Sequence, residues 1–98
     1  MNQQQMMKIR KMQKQMMEAQ EKLEQTVFTG TAGGGVVTAE VKGSHEVVAI
    51  HIDEEAMDDK EMVEDMIVLA INDAVKKINA ESEKLLGGFG GGFGGLGF

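Results

Sequence analysis

The stretch TVFTGTAGGGVVTAEVKGSHEVVAIHI (residues 26–52) decides the fold. It is dominated by β-branched residues and glycine, the composition of strands joined by tight turns. Thr26–Gly30 reads as a short strand and Gly33–Gly35 as a turn. Val36–Lys42 alternates, with Val37, Ala39 and Val41 on one face and Thr38, Glu40 and Lys42 on the other. Gly43-Ser44 forms a tight connection, and Glu46–Ile52 alternates again with Val48, Ile50 and Ile52 as its apolar set. Three consecutive strands with short turns predict an antiparallel meander whose one face is covered.

Outward from this stretch the residues change character on both sides. Gln3 to about Gln25 lacks Gly and is rich in Met, Gln, Lys and Glu, so it reads as one long helix. Ile9, Met12, Met16, Ala19 and Leu23 recur at spacings of 3 and 4 and cluster within roughly 80° of arc. That is a two-heptad seam, shorter than a free-standing coiled coil requires. Asp53–Met57 is an acidic connector. Asp58 with Glu61 has the form of a capping box, predicting a helix from Asp59 to about Leu86. Its apolar residues cover well over half its circumference, so one face can close the sheet while the remainder needs another partner. The expected fold class is α+β, with a long N-terminal helix, a three-stranded antiparallel meander and a C-terminal helix. Residues 1–86 form a single domain in this reading, divided into a helical arm (1–25), a meander (26–53) and a connector with its helix (54–86). The Gly/Phe stretch 87–98 is expected to be a disordered tail.

With 98 residues, the chain has room for one small domain whose core is marginal alone, which favours packing against a second copy. It has no Cys, excluding a disulfide framework, a thiol nucleophile and a cysteine zinc site, and fitting a reducing cytoplasm. The start, MNQQQMMKIRKMQKQMMEAQ, has no continuous apolar core. No signal peptide or membrane span is expected.

Catalytic chemistry finds little support. Ser44 falls in a turn and Ser82 on a polar helix end, neither set up for activation by a base. His51 and Asp53 share a strand face and could in principle hold a metal, but an exposed histidine beside an acidic loop is the simpler account. The run Asp53–Asp59 lacks the glycine and spacing of a calcium loop. GxGxxG occurs at residues 90–95 and 92–97, where no strand precedes it and no helix follows. The reading is therefore no enzyme, cofactor, metal or small-molecule substrate.

Charge is the informative property. The net charge is −6 and the isoelectric point about 4.8, yet residues 1–17 carry Lys8, Arg10, Lys11 and Lys14 without one acid. Residues 53–84 net −7. An acidic body with a basic arm can orient toward a polyanion through that arm alone. Without aromatic stacking residues or a reading head, contact would be made to the phosphate backbone with weak sequence preference. A Met-rich helix also suits a protein partner, so an interaction adaptor is the competing reading.

Thr29–Val37, the Val41-Lys42-Gly43 turn with Glu46-Val47-Val48 after it, Ile50-His51-Ile52-Asp53 and Glu61–Ala74 together resemble the YbaB/EbfC family of bacterial nucleoid-associated proteins. The likeness covers essentially the whole chain. It departs at Asp53-Glu54, where the family often has Asp-Pro. The resemblance implies an α-β-β-β-α homodimer with projecting helical arms that binds double-stranded DNA in the cytoplasmic nucleoid with limited specificity and influences DNA organisation and gene regulation. On this chain the expected phosphate contacts are Lys8, Arg10, Lys11, Lys14 and Lys22, with Lys76, Lys77 and Lys84 secondary. The dimer contacts are expected at Met62, Met66, Leu69, Ala70, Ile71 and Ala74.

Overall fold

Strand formation in the central stretch sets the architecture. The structure, a computed structural model, describes residues 2–89. It comprises α1 (Gln3–Gln25), β1 (Val27–Ala32), β2 (Val37–Lys42), β3 (Val47–Ile52), a 3-10 turn at Glu54–Asp58 and α2 (Lys60–Phe89). The α+β class and the element order are those read from the sequence. The strands pair antiparallel in the order β1-β2-β3. β2, paired on both sides, alternates fully buried Val37, Ala39 and Val41 with half-buried Thr38, Glu40 and Lys42.

α2 lies across the inner face. Ala70, Ala74 and Ile78 pack with Ala32, Val37, Ala39 and Val41 into one core, flanked by Phe28, Ile50, Ile52 and Ile67. The approach is closest at Gly30, where a Cβ would collide with the Ala70 carbonyl oxygen and the Ala74 nitrogen. Glycine on the strand and alanines on the helix let the two backbones come nearly into contact. Burial of each large side chain at this contact, Val37, Val41 and Ile78, is worth about 1.5–3 kcal/mol.

Four local expectations change. The N-cap of α2 is Asp59, whose Oδ1 accepts the Met62 N–H at 3.1 Å, while Asp58 closes the preceding 3-10 turn. Asp53 caps that turn, accepting the Glu55 N–H at 3.2 Å, so the acidic connector is itself structured. In β3, Glu40 pairs with Ala49 but Val41 pairs with Val47, and the bulge leaves Val48 out of register. Val47 therefore shares the face of Val41. α2 also continues through Phe89, three residues past the boundary expected at Leu86. Of the tail expected to be disordered, 87–98, the first three residues are helical, while residues 90–98, with the two GxGxxG matches, lie outside the described residues.

Because a methyl group at residue 30 meets backbone rather than a movable side chain, Gly30→Ala is expected to destabilise the fold by about 1–3 kcal/mol. Truncating Ile78 to Ala removes core volume and is expected to cost about 2–5 kcal/mol. Urea midpoints followed by circular dichroism measure both, and an unchanged midpoint for Gly30→Ala would contradict the close seating of α2.

Candidate nucleic-acid interface

α1 begins where the Asn2 side chain accepts the Gln5 N–H at 2.8 Å. It ends where the Thr26 hydroxyl donates to the Lys22 carbonyl at 2.6 Å. Between these caps no residue of the helix is buried. Met16, Ala19 and Leu23 are half-buried, and Gln3–Gln15 is exposed throughout. The base of the helix is held by backbone: Gly43 N–H donates to the Thr26 carbonyl at 2.9 Å and Ser44 N–H to the Glu24 carbonyl at 3.3 Å. Here too a Cβ on Gly43 would strike the Leu23 carbonyl oxygen. A hollow between Ala19, Leu23, Phe28 and Leu85 completes this foot. With its foot fixed and its first thirteen residues free, α1 extends about 20 Å into solvent.

Lys8, Arg10, Lys11, Lys14 and Lys22 are all exposed on this helix. Among the described residues none of them is in an ion pair, although Glu18 stands four positions from both Lys14 and Lys22. The arm thus presents its cations unneutralised, and its carboxylates, Glu18, Glu21 and Glu24, are confined to the half nearer the sheet.

The cations of α2 are differently placed. β1 is an edge strand, and α2 closes its outer side. The Thr31 N–H donates to Asp73 Oδ2 at 3.0 Å, Lys77 Nζ donates to the Thr29 carbonyl at 2.7 Å, and Lys77 Nζ lies 3.7 Å from Asp73 Oδ2. This pair occupies backbone groups that would otherwise template another strand. Lys77 is accordingly a structural cation rather than a free one. Periodicity could not reveal this, because the partners lie 42 and 48 residues apart in the chain. Lys84 lies 3.8 Å from Glu81, and exposed Lys76 has no ion pair among the described residues.

The apolar surface of α2 divides in the same way. Ala70 and Ala74 are fully buried within this chain, leaving no surface for a second copy, and Met66 and Ile71 pack at the edge of the same core. Met62 and Leu69 remain open, Leu69 at 60% exposure. So does Val68 at 58%, which the sequence reading passed over. Its signal was available: it lies roughly 160° around the helix from Ala70.

Other candidates are not brought together. His51 Nε2 faces Glu40 Oε2 at 3.3 Å, across the strand pair, and Asp53 is engaged as a cap. Ser44, His45, Ser82 and Glu24 border one shallow hollow, but no side-chain hydrogen bond joins them among the described residues. No helix among the described residues is long and apolar enough to cross a membrane.

Comparison with known proteins places this geometry. A family model described as the YbaB/EbfC DNA-binding family matches residues 1–93. A nucleoid-associated protein of Chloroflexus aurantiacus is 42% identical over 99 residues, covering 98% of this chain and 99% of its own. One from Legionella pneumophila is 46% identical over 80 residues, covering 81% of this chain and 71% of its own. Among solved structures, the uncharacterized protein HP0035 from Helicobacter pylori superposes with a TM-score of 0.70 at 29% identity, covering 87% of this chain and 92% of that one. With its helix-sheet-helix order, projecting basic helix and a family match over residues 1–93, the chain belongs to the YbaB/EbfC DNA-binding family.

Proposed function

We propose that this protein is a non-enzymatic, nucleoid-associated DNA-binding protein that acts in the cytoplasm as a homodimer. The α1 arms of two copies grip duplex DNA mainly through its phosphates, with little sequence specificity. The grip alters DNA conformation and thereby nucleoid organisation and gene expression. The observation that carries this reading is the unneutralised cationic face of α1. Lys8, Arg10, Lys11 and Lys14 stand on a helix that contributes nothing to the core, so their charge is available to a polyanion. Residues 53–84, netting −7, repel the same polyanion and confine contact to the arms. Lys22 extends the patch toward the foot of the arm, Lys76 on α2 is a separate exposed cation that serves as a secondary contact, and Lys77 and Lys84 are already engaged.

Dimerisation draws on the apolar surface that α2 leaves open at Met62, Val68 and Leu69. The adaptor reading keeps one observation in its favour, the exposure of Ile9 and Met12 on the arm's seam. It requires that Met12→Ala abolish partner binding while charge reversal is tolerated.

If two arms neutralise six to eight phosphates, log K for duplex DNA falls with log[salt] at a slope of about −5 to −7. Fluorescence titration across salt concentrations reads this slope, and binding that is absent or indifferent to salt defeats the proposal. Reversing Lys8, Lys11 and Lys14 together to Glu is expected to weaken binding uniformly across sequences without changing the unfolding midpoint. Leu69→Asp places a charge on an exposed position, so the chain should still fold. Its mass by light scattering should fall to that of a single copy; retention of the dimer mass would move the interface elsewhere.

A further inference from the structure

The seam of α1 accounts for Ile9, Met12, Met16, Ala19 and Leu23, but not for Met7. At 100° per residue Met7 lies roughly 160° from the seam's centre, on the opposite side of the helix. It is 68% exposed, more than any other large apolar side chain among the described residues. Its neighbours on that side are Arg10 and Lys11, one turn on, and Lys14, two turns on. With Gln3, Met6 and Arg10 it borders a shallow hollow near the tip of the arm. Pairing of two arms along their seams would leave Met7 facing outward, so that pairing cannot explain an apolar group at this position.

A thioether flanked by cations around the helix suits a ligand that is anionic at its margins and apolar between them. Duplex DNA has that pattern. Its major groove is about 12 Å wide, admits a helix, and has phosphates along its walls and base edges, including thymine methyl groups, on its floor. The fit in charge follows from Arg10, Lys11 and Lys14, which would engage the walls, with Met7 set between Arg10 and Lys11 around the helix circumference.

We infer that Met7 is an apolar DNA contact, inserted into the groove while Arg10, Lys11 and Lys14 hold the flanking phosphates. This rests on the DNA-binding reading above and adds a contribution that counterion release does not supply. Phosphate contacts set the slope of log K against log[salt]. An apolar contact shifts the whole line without changing its slope, because no counterion is displaced by it. Methionine's unbranched, polarizable chain lets one side chain adapt to different base edges, consistent with weak sequence preference.

The test is a salt-dependent titration of the full chain with a fluorescent duplex, comparing wild type, Met7→Gln and Met7→Leu, with helix content followed by circular dichroism. Gln keeps the length and the charge but removes the apolar end. Met7→Gln is expected to lower the affinity extrapolated to 1 M salt about tenfold with an unchanged slope, while Met7→Leu stays within about twofold of wild type. Equal extrapolated affinities for all three proteins overturn the inference. So does a shallower slope in Met7→Gln, which would make Met7 a support for the cations. If wild type itself binds no duplex, the DNA-binding reading fails first. Vesicles of 70% phosphatidylcholine and 30% phosphatidylserine form a parallel arm. Vesicle binding that is lost in Met7→Gln, with DNA binding unaltered, overturns the inference in favour of a membrane surface.

Discussion

A three-stranded sheet is about 10 Å wide between its outer strands, and one α-helix has about the same diameter. On this sheet α2 takes the inner face, and that seat organises the molecule. α2 takes the seat because Ala70 and Ala74 can lie directly on Gly30, burying Val37, Ala39 and Val41 beneath it together with its own Ile78. α1 meets the body only at its foot, where Ala19 and Leu23 border Phe28 and Leu85. It is held at its foot by the Gly43 and Ser44 backbone and stands free beyond Met16 toward its N-terminus.

The consequences for charge follow directly. Where α2 overlies β1, the strand edge needs partners, and Asp73 and Lys77 supply them as a salt-bridged pair. A lysine used in this way is no longer available to a ligand. On α1 there is no edge to satisfy and no core to fill, so the same residue type keeps its charge unengaged. Position relative to the sheet, rather than composition, separates the structural cations from those free to act.

Much of this was legible in local pattern. The alternation of Val37, Ala39 and Val41 named the covered face of β2, and the glycine-free run from Gln3 to Gln25 gave both ends of α1. The segregation of Lys8, Arg10, Lys11 and Lys14 from the acids was visible as plain order along the chain. Other features resisted for identifiable reasons. Asp58 and Asp59 are equally good caps by residue type, and only the geometry of the 3-10 turn decides that Asp59 faces the Met62 N–H. The alternation of Val48, Ile50 and Ile52 hid the bulge at Val48, since a bulge is a property of the strand pair and not of either strand. The apolar breadth of α2 announced two partners without saying which residues served which. Ala70 and Ala74 went to the sheet, and Val68 and Leu69 were left outside.

By itself, then, the sequence determined the elements, their order, the inward face of the sheet and the polarity of charge along the chain. These are set by periods of two and 3.6 residues and by neighbours within a turn or two, which any stretch carries with it. The tertiary structure alone decided which helix won the sheet, which lysine closed the edge of β1 and how much of α1 stood clear. Those outcomes depend on contacts between residues from 17 to 48 positions apart, and they are fixed by the close approaches at Gly30 and Gly43, which have no local signature.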